Sequence, residues 1–315
     1  GLGCSSLGGV LDRESESQSL RSVRMALDRG INFFDTADAY SMGRSEELLG
    51  QAVRGQRDRV IIATKGGSRF SPAWKTIVDS RSVLVPLRKV LKPFKRYFNL
   101  VRHTQKRYDY SPGHLRRALE TSLKRLDTVY IDLYQIYNPT RADLEAGAFI
   151  DTLERFKREG KIRYYGIECH NAEDALQCPG VSAVQLAISL ADQEALDNVV
   201  PRLVEEGVGV IGCEPLAQGF LTTNTGRALA EESARGRSQI RSRQQRASQF
   251  KFLIRPDRTL AQAAMQFAIR VPGISSVIPG MILPEQLEEN MGALTATPLT
   301  QDELQRIRDS GRAFT

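Results

Sequence analysis

Val129-Tyr130-Ile131-Asp132-Leu133-Tyr134-Gln135-Ile136-Tyr137 has the length and the β-branched and aromatic content of a strand, and its neighbours decide the fold. Before it, a helix is predicted to begin near Ser111, with Ser as N-cap and Pro112 in the first turn. After it, residues 144–158 read as a helix and 162–167 as the next strand. Working outward, the pattern repeats. Toward the N-terminus come strand 60–65, helix 45–53, strand 31–35 and helix 16–29, whose Leu20, Val23 and Leu27 share a face and whose end is marked by Gly30. Toward the C-terminus come a short strand 184–187, helix 193–206, strand 208–213, helix 260–270, strand 276–278 and helices 285–293 and 301–308. With residues 1–4 as a first strand, eight strands alternate with helices. That predicts an α/β fold, a (β/α)8 TIM barrel, as a single domain over residues 1–315. A doubly wound sheet is the alternative, but no GxGxxG follows a strand. In a barrel, function sits at the C-terminal ends of the strands.

The chain has 315 residues, 41% hydrophobic and 26% charged, which is enough apolar material for a large core and excludes global disorder. No apolar run is long enough for a transmembrane segment, and no secretory leader pattern is seen. Four cysteines (Cys4, Cys169, Cys178, Cys213), without CxxC spacing, fit a reducing compartment, so a cytoplasmic location is expected. The net charge of +7 favours anionic partners without naming one.

Much of that charge lies in two long loops. Residues 68–108 carry eleven Lys/Arg and one acid, Asp79. Apolar residues there recur at helical spacing, and Pro93 interrupts them. A second loop, 221–258, is basic over residues 235–258, with eight Lys/Arg against Asp257. The first loop follows the strand ending in Lys65 and is read as a lid, which points to an anionic small-molecule substrate; docking to an acidic partner or membrane surface is the competing reading. Nucleic acid is not an expected partner, because charge alone supports it. Oligomeric state is not legible.

Several blocks strongly resemble the aldo-keto reductase superfamily. They are Phe33-Phe34-Asp35-Thr36-Ala37-Asp38-Ala39-Tyr40 with Gly43-Arg44-Ser45-Glu46, Ala63-Thr64-Lys65, Asp132-Leu133-Tyr134-Gln135-Ile136, Gly160-Lys161-Ile162-Arg163-Tyr164-Tyr165-Gly166, Pro215-Leu216-Ala217-Gln218-Gly219, and Ile278-Pro279-Gly280 with Glu285-Gln286-Leu287-Glu288-Glu289-Asn290. The resemblance implies a (β/α)8 barrel and hydride transfer from NAD(P)H to a carbonyl. It also implies Tyr40 as proton donor, Lys65 as the lysine that lowers its pKa, and Asp35 as the lysine's partner. The chemistry is coherent in itself, since a free phenol titrates near pH 10 and a neighbouring ammonium favours the phenolate.

The pattern also breaks. Where the family places a histidine after the fourth strand, this chain has Tyr137, counted here among the catalytic residues. Glu168 stands at the serine position of the nicotinamide pocket, followed by Cys169 and His170, and Cys213 and Glu214 occupy the region of a stacking aromatic. Gln185, Leu216, Gly219, Gly280, Gln286, Glu289 and Asn290 match cofactor contacts. Met281, Ile282 and Leu283 replace the usual 2′-phosphate anchors, which leaves NADP against NAD open and predicts weakened or lost binding. No metal site is expected, because Cys, His and Glu lack short ligand spacing. Three readings follow: an NAD(P)H-dependent carbonyl oxidoreductase with an altered site, a repurposed barrel doing Tyr/Lys acid–base work such as elimination, isomerisation or cyclisation, and a binding or regulatory protein with vestigial catalysis.

Overall fold

The structure is a computed structural model that describes residues 1–8, 13–69, 107–178, 180–222, 237–281 and 283–312. Residues 70–106, the bulk of the first basic loop, fall outside that set, as do 223–236 of the second and Ile282. Ten strands are described: β1 Leu2–Gly3, β2 Phe33–Asp35, β3 Ile61–Gly66, β4 Ser68–Arg69, β5 Arg107–Tyr108, β6 Ile131–Tyr137, β7 Ile162–Glu168, β8 Ala183–Ala187, β9 Gly209–Cys213 and β10 Ile274–Ile278. Eight of them run parallel and alternate with helices, the (β/α)8 TIM-barrel class. The other two, β4 and β5, form an antiparallel hairpin at the base of the first basic loop.

The chain divides into two compact units, Gly1–Glu168 with Gly280–Pro284, and Cys169–Pro279 with Glu285–Thr315. In the first, β1, β2, β3, β6 and β7 pair in parallel in that order, and Gly3 bridges to Gly280 on the other side of β1. Strand β6 is buried at six consecutive residues, as expected for a parallel strand covered on both faces. Its one early acid, Asp132, is gripped by Arg57 at 2.6 Å, Arg163 at 2.9 Å and the Ile62 N–H at 3.0 Å. In the second unit β8, β9 and β10 pair in parallel. Phe220, Phe250, Leu253, Leu260 and Phe267 are among the residues of its core.

Three helices differ from expectation. Residues 144–158 are two helices, Arg141–Ala146 and Ile150–Arg158. The first begins in a Thr140/Asp143 capping box and stops at Gly147, whose φ of +59° takes the chain left-handed. Residues 193–206 are helical only over Val199–Glu205. Pro201 explains this: in a helix begun at 193 its missing N–H and its ring would break the 197–201 bond, whereas in the first turn no intrahelical donor is needed. The last helix, Gln301–Arg312, runs longer than predicted.

That helix is tied down by a buried charge. Arg258, fully buried, donates to the Leu253 carbonyl and to Glu303 at 2.6 Å. Arg255 donates to the same carboxylate at 2.8 Å, and the Thr300 N–H donates to it at 2.9 Å. Burial pushes the Glu303 carboxyl up, but these donors outweigh it and hold it at about 2. A depressed native pKa contributes stability above the ordinary value, lost as pH falls toward 2. Urea unfolding midpoints should therefore decline below pH 4.5 more steeply in wild type than in Glu303→Ala. At pH 7 that variant, which leaves Arg258 buried without its carboxylate, should lose about 3 kcal/mol.

Candidate active site

Asp35 ends β2, and Lys65 is the fifth residue of β3. The parallel register sets Asp35 opposite Ala63, so Lys65 lies two residues further toward the C-terminal end, on the same face as Ala63. From there its ammonium Nζ reaches both Asp35 oxygens, at 2.7 and 2.6 Å. It also donates to the Thr36 carbonyl at 3.0 Å and lies 3.4 Å from the Tyr40 hydroxyl. Gln135 donates to Asp35 Oδ1 at 3.4 Å. Lys65 and Asp35 are 0% and 2% exposed, so the charges face each other rather than water. Gly66 follows Lys65, and the buried Tyr134 hydroxyl occupies the space a Cβ there would need.

Tyr40 sits on a turn held from several sides. The Asp38 N–H donates to the Lys65 carbonyl at 3.0 Å, and the Tyr40 N–H to the Ala37 carbonyl at 3.1 Å. Ser41 and Met42 then take φ values of +46° and +56°, and Gly43 takes +88°. Such a run of left-handed residues stores strain. The Ser41 hydroxyl, donating to the Leu7 carbonyl at 2.9 Å, helps to hold the turn. The rest of the Gly43-Arg44-Ser45-Glu46 block braces the strands behind it. The Ser45 hydroxyl donates to the Cys4 carbonyl at 2.8 Å, and fully buried Glu46 accepts from Thr64 at 2.7 Å and Arg125 at 3.1 Å.

Tyr137, at the end of β6, places its ring 6.5 Å from that of Tyr40 and nearly perpendicular to it. The Tyr137 ring also stacks on Tyr108 of β5 at 6.1 Å, and Tyr108 in turn stacks on Tyr110 at 6.1 Å. The Tyr110 hydroxyl donates to the carbonyls of Tyr137 and Asn138, at 3.0 and 3.1 Å. Glu168, at the end of β7 and 7% exposed, has Oε2 3.9 Å from the Lys65 ammonium. Asp35, Tyr40, Lys65, Tyr137 and Glu168 thus form one cluster inside the first unit. The sequence reading did not single out Tyr108 and Tyr110; the signal was their i, i+2 spacing in an extended stretch just before the Ser111 cap. Cys4 is buried, and burial and the Asp35 charge push its thiol far up, against the pull of Lys65, which disfavours the thiolate.

The remaining expected contacts are distributed as follows. Gly280 lies in the first unit, bridged to Gly3. Gln185, on β8 and 2% exposed, is in the second. So are Leu216 and Gly219, on the turn after β9, where Glu214, Ala217 and Gln218 all have positive φ. Arg243 donates to Gln218, which donates to Glu214, and this chain clamps the turn to helix Arg237–Ser248. Gln286, Glu289 and Asn290 share one face of helix Pro284–Met291. Asn290 Nδ2 is buried and has no hydrogen-bond partner among the described residues. Among those residues no group of three His, Cys, Asp or Glu could hold a metal, and no helix is long and apolar enough to cross a membrane.

Gly43→Ala forces a Cβ onto a left-handed residue and into the Arg125 guanidinium that pairs with Glu46. It should cost about 2 kcal/mol in urea unfolding.

The Aldo/keto reductase family model matches residues 1–312. The oxidoreductase YqkF of Bacillus subtilis is 29% identical over 98% of this chain and 90% of its own length. An aldo-keto reductase from Bacillus halodurans, solved in its holo form, is 28% identical, with a TM-score of 0.74 over 98% of this chain and 91% of that one. An aldo/keto reductase from Klebsiella pneumoniae, solved in complex with NADP and acetate, shares the fold at 23% identity, with a TM-score of 0.66 over 99% of this chain and 90% of that one. The chain belongs to the aldo/keto reductase family and is an oxidoreductase of that type.

Proposed function

We propose that this protein is an NAD(P)H-dependent carbonyl oxidoreductase with an altered substrate-facing site. The observation that carries the reading is the Lys65 ammonium, held between Asp35 at 2.6 Å and the Tyr40 hydroxyl at 3.4 Å. Asp35 keeps Lys65 charged and aimed. Lys65 stabilises the negative charge left on Tyr40 when its proton passes to a substrate oxygen. Tyr137 stands where the family has histidine, and its hydroxyl can hydrogen-bond the same oxygen. Glu168 then works beside the reacting group rather than as a carboxamide donor.

The residues present fit a dinucleotide. The buried Asn290 Nδ2 is a donor with no partner among the described residues, which suits a ligand acceptor. Gln286 and Glu289 would bind alongside it, with Gln185, Leu216, Gly219 and Gly280 as further contacts. When bound, the cofactor supplies the hydride to the carbonyl carbon. NADP and NAD remain alternatives, because Met281 and Leu283 offer no charge to a 2′-phosphate.

An anionic substrate is supported by the eleven Lys/Arg of loop 68–108. The floor of the site has the opposite sign, since Asp35, Lys65 and Glu168 together carry one net negative charge when ionised. The neutral carbonyl, rather than the anionic group, would therefore meet Tyr40. All four cysteines are free thiols, as a cytoplasmic location would maintain.

Calorimetric titration with NADPH, NADH and their oxidised forms, followed by a carbonyl screen, tests the reading. Micromolar binding and oxidation of the reduced form by a carbonyl compound are expected. Tyr40→Phe should lower kcat at least 100-fold while leaving dinucleotide affinity within about twofold. Absence of binding to all four forms overturns the reading. Substrate conversion without a change in nicotinamide absorbance would move the assignment to Tyr/Lys acid–base chemistry.

A further inference from the structure

Tyr137 is held differently by its two neighbouring strands. On the β7 side the ladder reaches it, pairing Tyr137 with Glu168, and the Asn138 N–H donates to the Glu168 carbonyl at 2.9 Å. On the β3 side the register ends at Gly66 and Ile136, one residue short of Tyr137. Just there the chain turns, with Asn138 at a φ of +50°, a left-handed value that asparagine tolerates better than most residues. Tyr110 reaches into this turn from beside β3. Its ring occupies the space that a Cβ on Gly67 would need, with Cε1 2.6 Å from that position. Gly67 stands two residues after Lys65, and its carbonyl accepts from the Asp109 N–H at 2.9 Å. Phe149 meets the same ring edge-on at 6.2 Å. From that seat the Tyr110 hydroxyl shares its proton between the carbonyls of Tyr137 and Asn138, at 3.0 and 3.1 Å. Those two carbonyls flank the left-handed residue, so their directions set how the chain leaves β6.

We propose that Tyr110 is a positioning residue for Tyr137: seated on Gly67, it fixes the turn after β6 through its hydroxyl, and thereby the place of the Tyr137 hydroxyl relative to Tyr40. This rests on the reading of Tyr137 as a group that hydrogen-bonds the substrate oxygen. Tyr40 and Lys65 take their places from β2 and β3, whereas Tyr137 comes from β6. Tyr110 joins the two, since it packs on the residue two beyond Lys65 and bonds to the backbone of Tyr137 itself. Tyr108 adds a second hold. Its ring stacks on both Tyr137 and Tyr110, and its hydroxyl accepts from Asn138 Nδ2 at 3.4 Å. For Tyr40 and Tyr137 to share one substrate oxygen, both hydroxyls must lie about 2.7 Å from it. A misplacement of about 1 Å at such a contact costs up to about 100-fold in rate.

The test compares wild type with Tyr110→Phe, which deletes the hydroxyl and keeps the ring in its seat on Gly67. In protein whose tyrosines carry NMR-active carbon at Cζ, the Tyr137 resonance is assigned by its absence from Tyr137→Phe. In Tyr110→Phe it should shift by more than its linewidth. Cζ is at the far end of the ring from the bonded carbonyl, so a shift there reports a displaced side chain rather than the lost bond. With para-nitrobenzaldehyde as the carbonyl probe, Tyr110→Phe should lower kcat about tenfold and leave KM within about twofold. In the Tyr137→Phe background the same change should cost no more than about twofold, because the hydroxyl it positions is gone. A Tyr137 resonance that keeps its place in folded Tyr110→Phe overturns the proposal, and so do equal losses of kcat in the two backgrounds, the result of a purely structural role. If circular dichroism shows that Tyr110→Phe does not fold, para-fluorophenylalanine at position 110 refills the volume of the hydroxyl without a donor and is held to the same outcome. The resonance needs neither substrate nor cofactor, so a failure there is separate from a failure of carbonyl reduction.

Discussion

A lysine ammonium with no exposure to water sets the terms for the first unit. An unpaired buried charge is expensive enough that the group would rather lose its proton. Lys65 keeps it by facing both oxygens of Asp35. Only one register of β2 on β3 allows that, because a slip by one residue turns each side chain to the opposite face. The backbone reinforces the choice, with the Thr36 N–H bonded to the Ala63 carbonyl and the Asp38 N–H to that of Lys65. The turn bearing Tyr40 is anchored by the second of these bonds. The ion pair, the register and the phenol are thus one constraint seen from three sides.

What surrounds this centre is aromatic on one side and acidic on the other. Tyr110 fixes the end of β6 through two backbone carbonyls, and the stacked Tyr108 holds the ring of Tyr137. A phenol is longer than an imidazole and carries no positive charge near neutral pH. Glu168 brings a second carboxylate to within 3.9 Å of the Lys65 ammonium. The two departures at Tyr137 and Glu168 stand opposite each other, paired in the register of β6 on β7.

The strand and helix alternation was legible because parallel strands buried on both faces stand out against amphipathic helices, as β6 does. Asp35, Tyr40 and Lys65 were legible as a motif, and their approach follows from strand ends that the alternation predicts. The break at Gly147 was not, since one glycine in a helical pattern is often tolerated, and here it is the left-handed φ that ends the helix. Pro201 was a visible signal that periodicity overrode. Glu168 was assigned by its place in a motif to cofactor contact, while its 3.9 Å approach to Lys65 depends on side-chain direction across two strands. Tyr108 and Tyr110 were hidden for a similar reason: the hairpin of β4 and β5 joins residues on either side of a long loop.

The division between what the chain keeps and what it changes has a structural basis. Asp35, Lys65 and Tyr40 are locked by backbone bonds between β2 and β3, and Thr64 and Ser45 link those strands to the helix beginning at Arg44. Changing Asp35 or Lys65 would leave the other's charge buried without its partner in the pair. Tyr137 and Glu168 end β6 and β7 as the last pair of that register, where the chain passes into loops. Tyr108 arrives from a hairpin outside the parallel sheet. On the proposed reading, proton transfer uses the half locked by these bonds, and Tyr137 and Glu168 would meet the substrate from the other. A (β/α)8 frame hosts many chemistries, and here the Lys65–Asp35 pair belongs to the part of the site fixed by strand register.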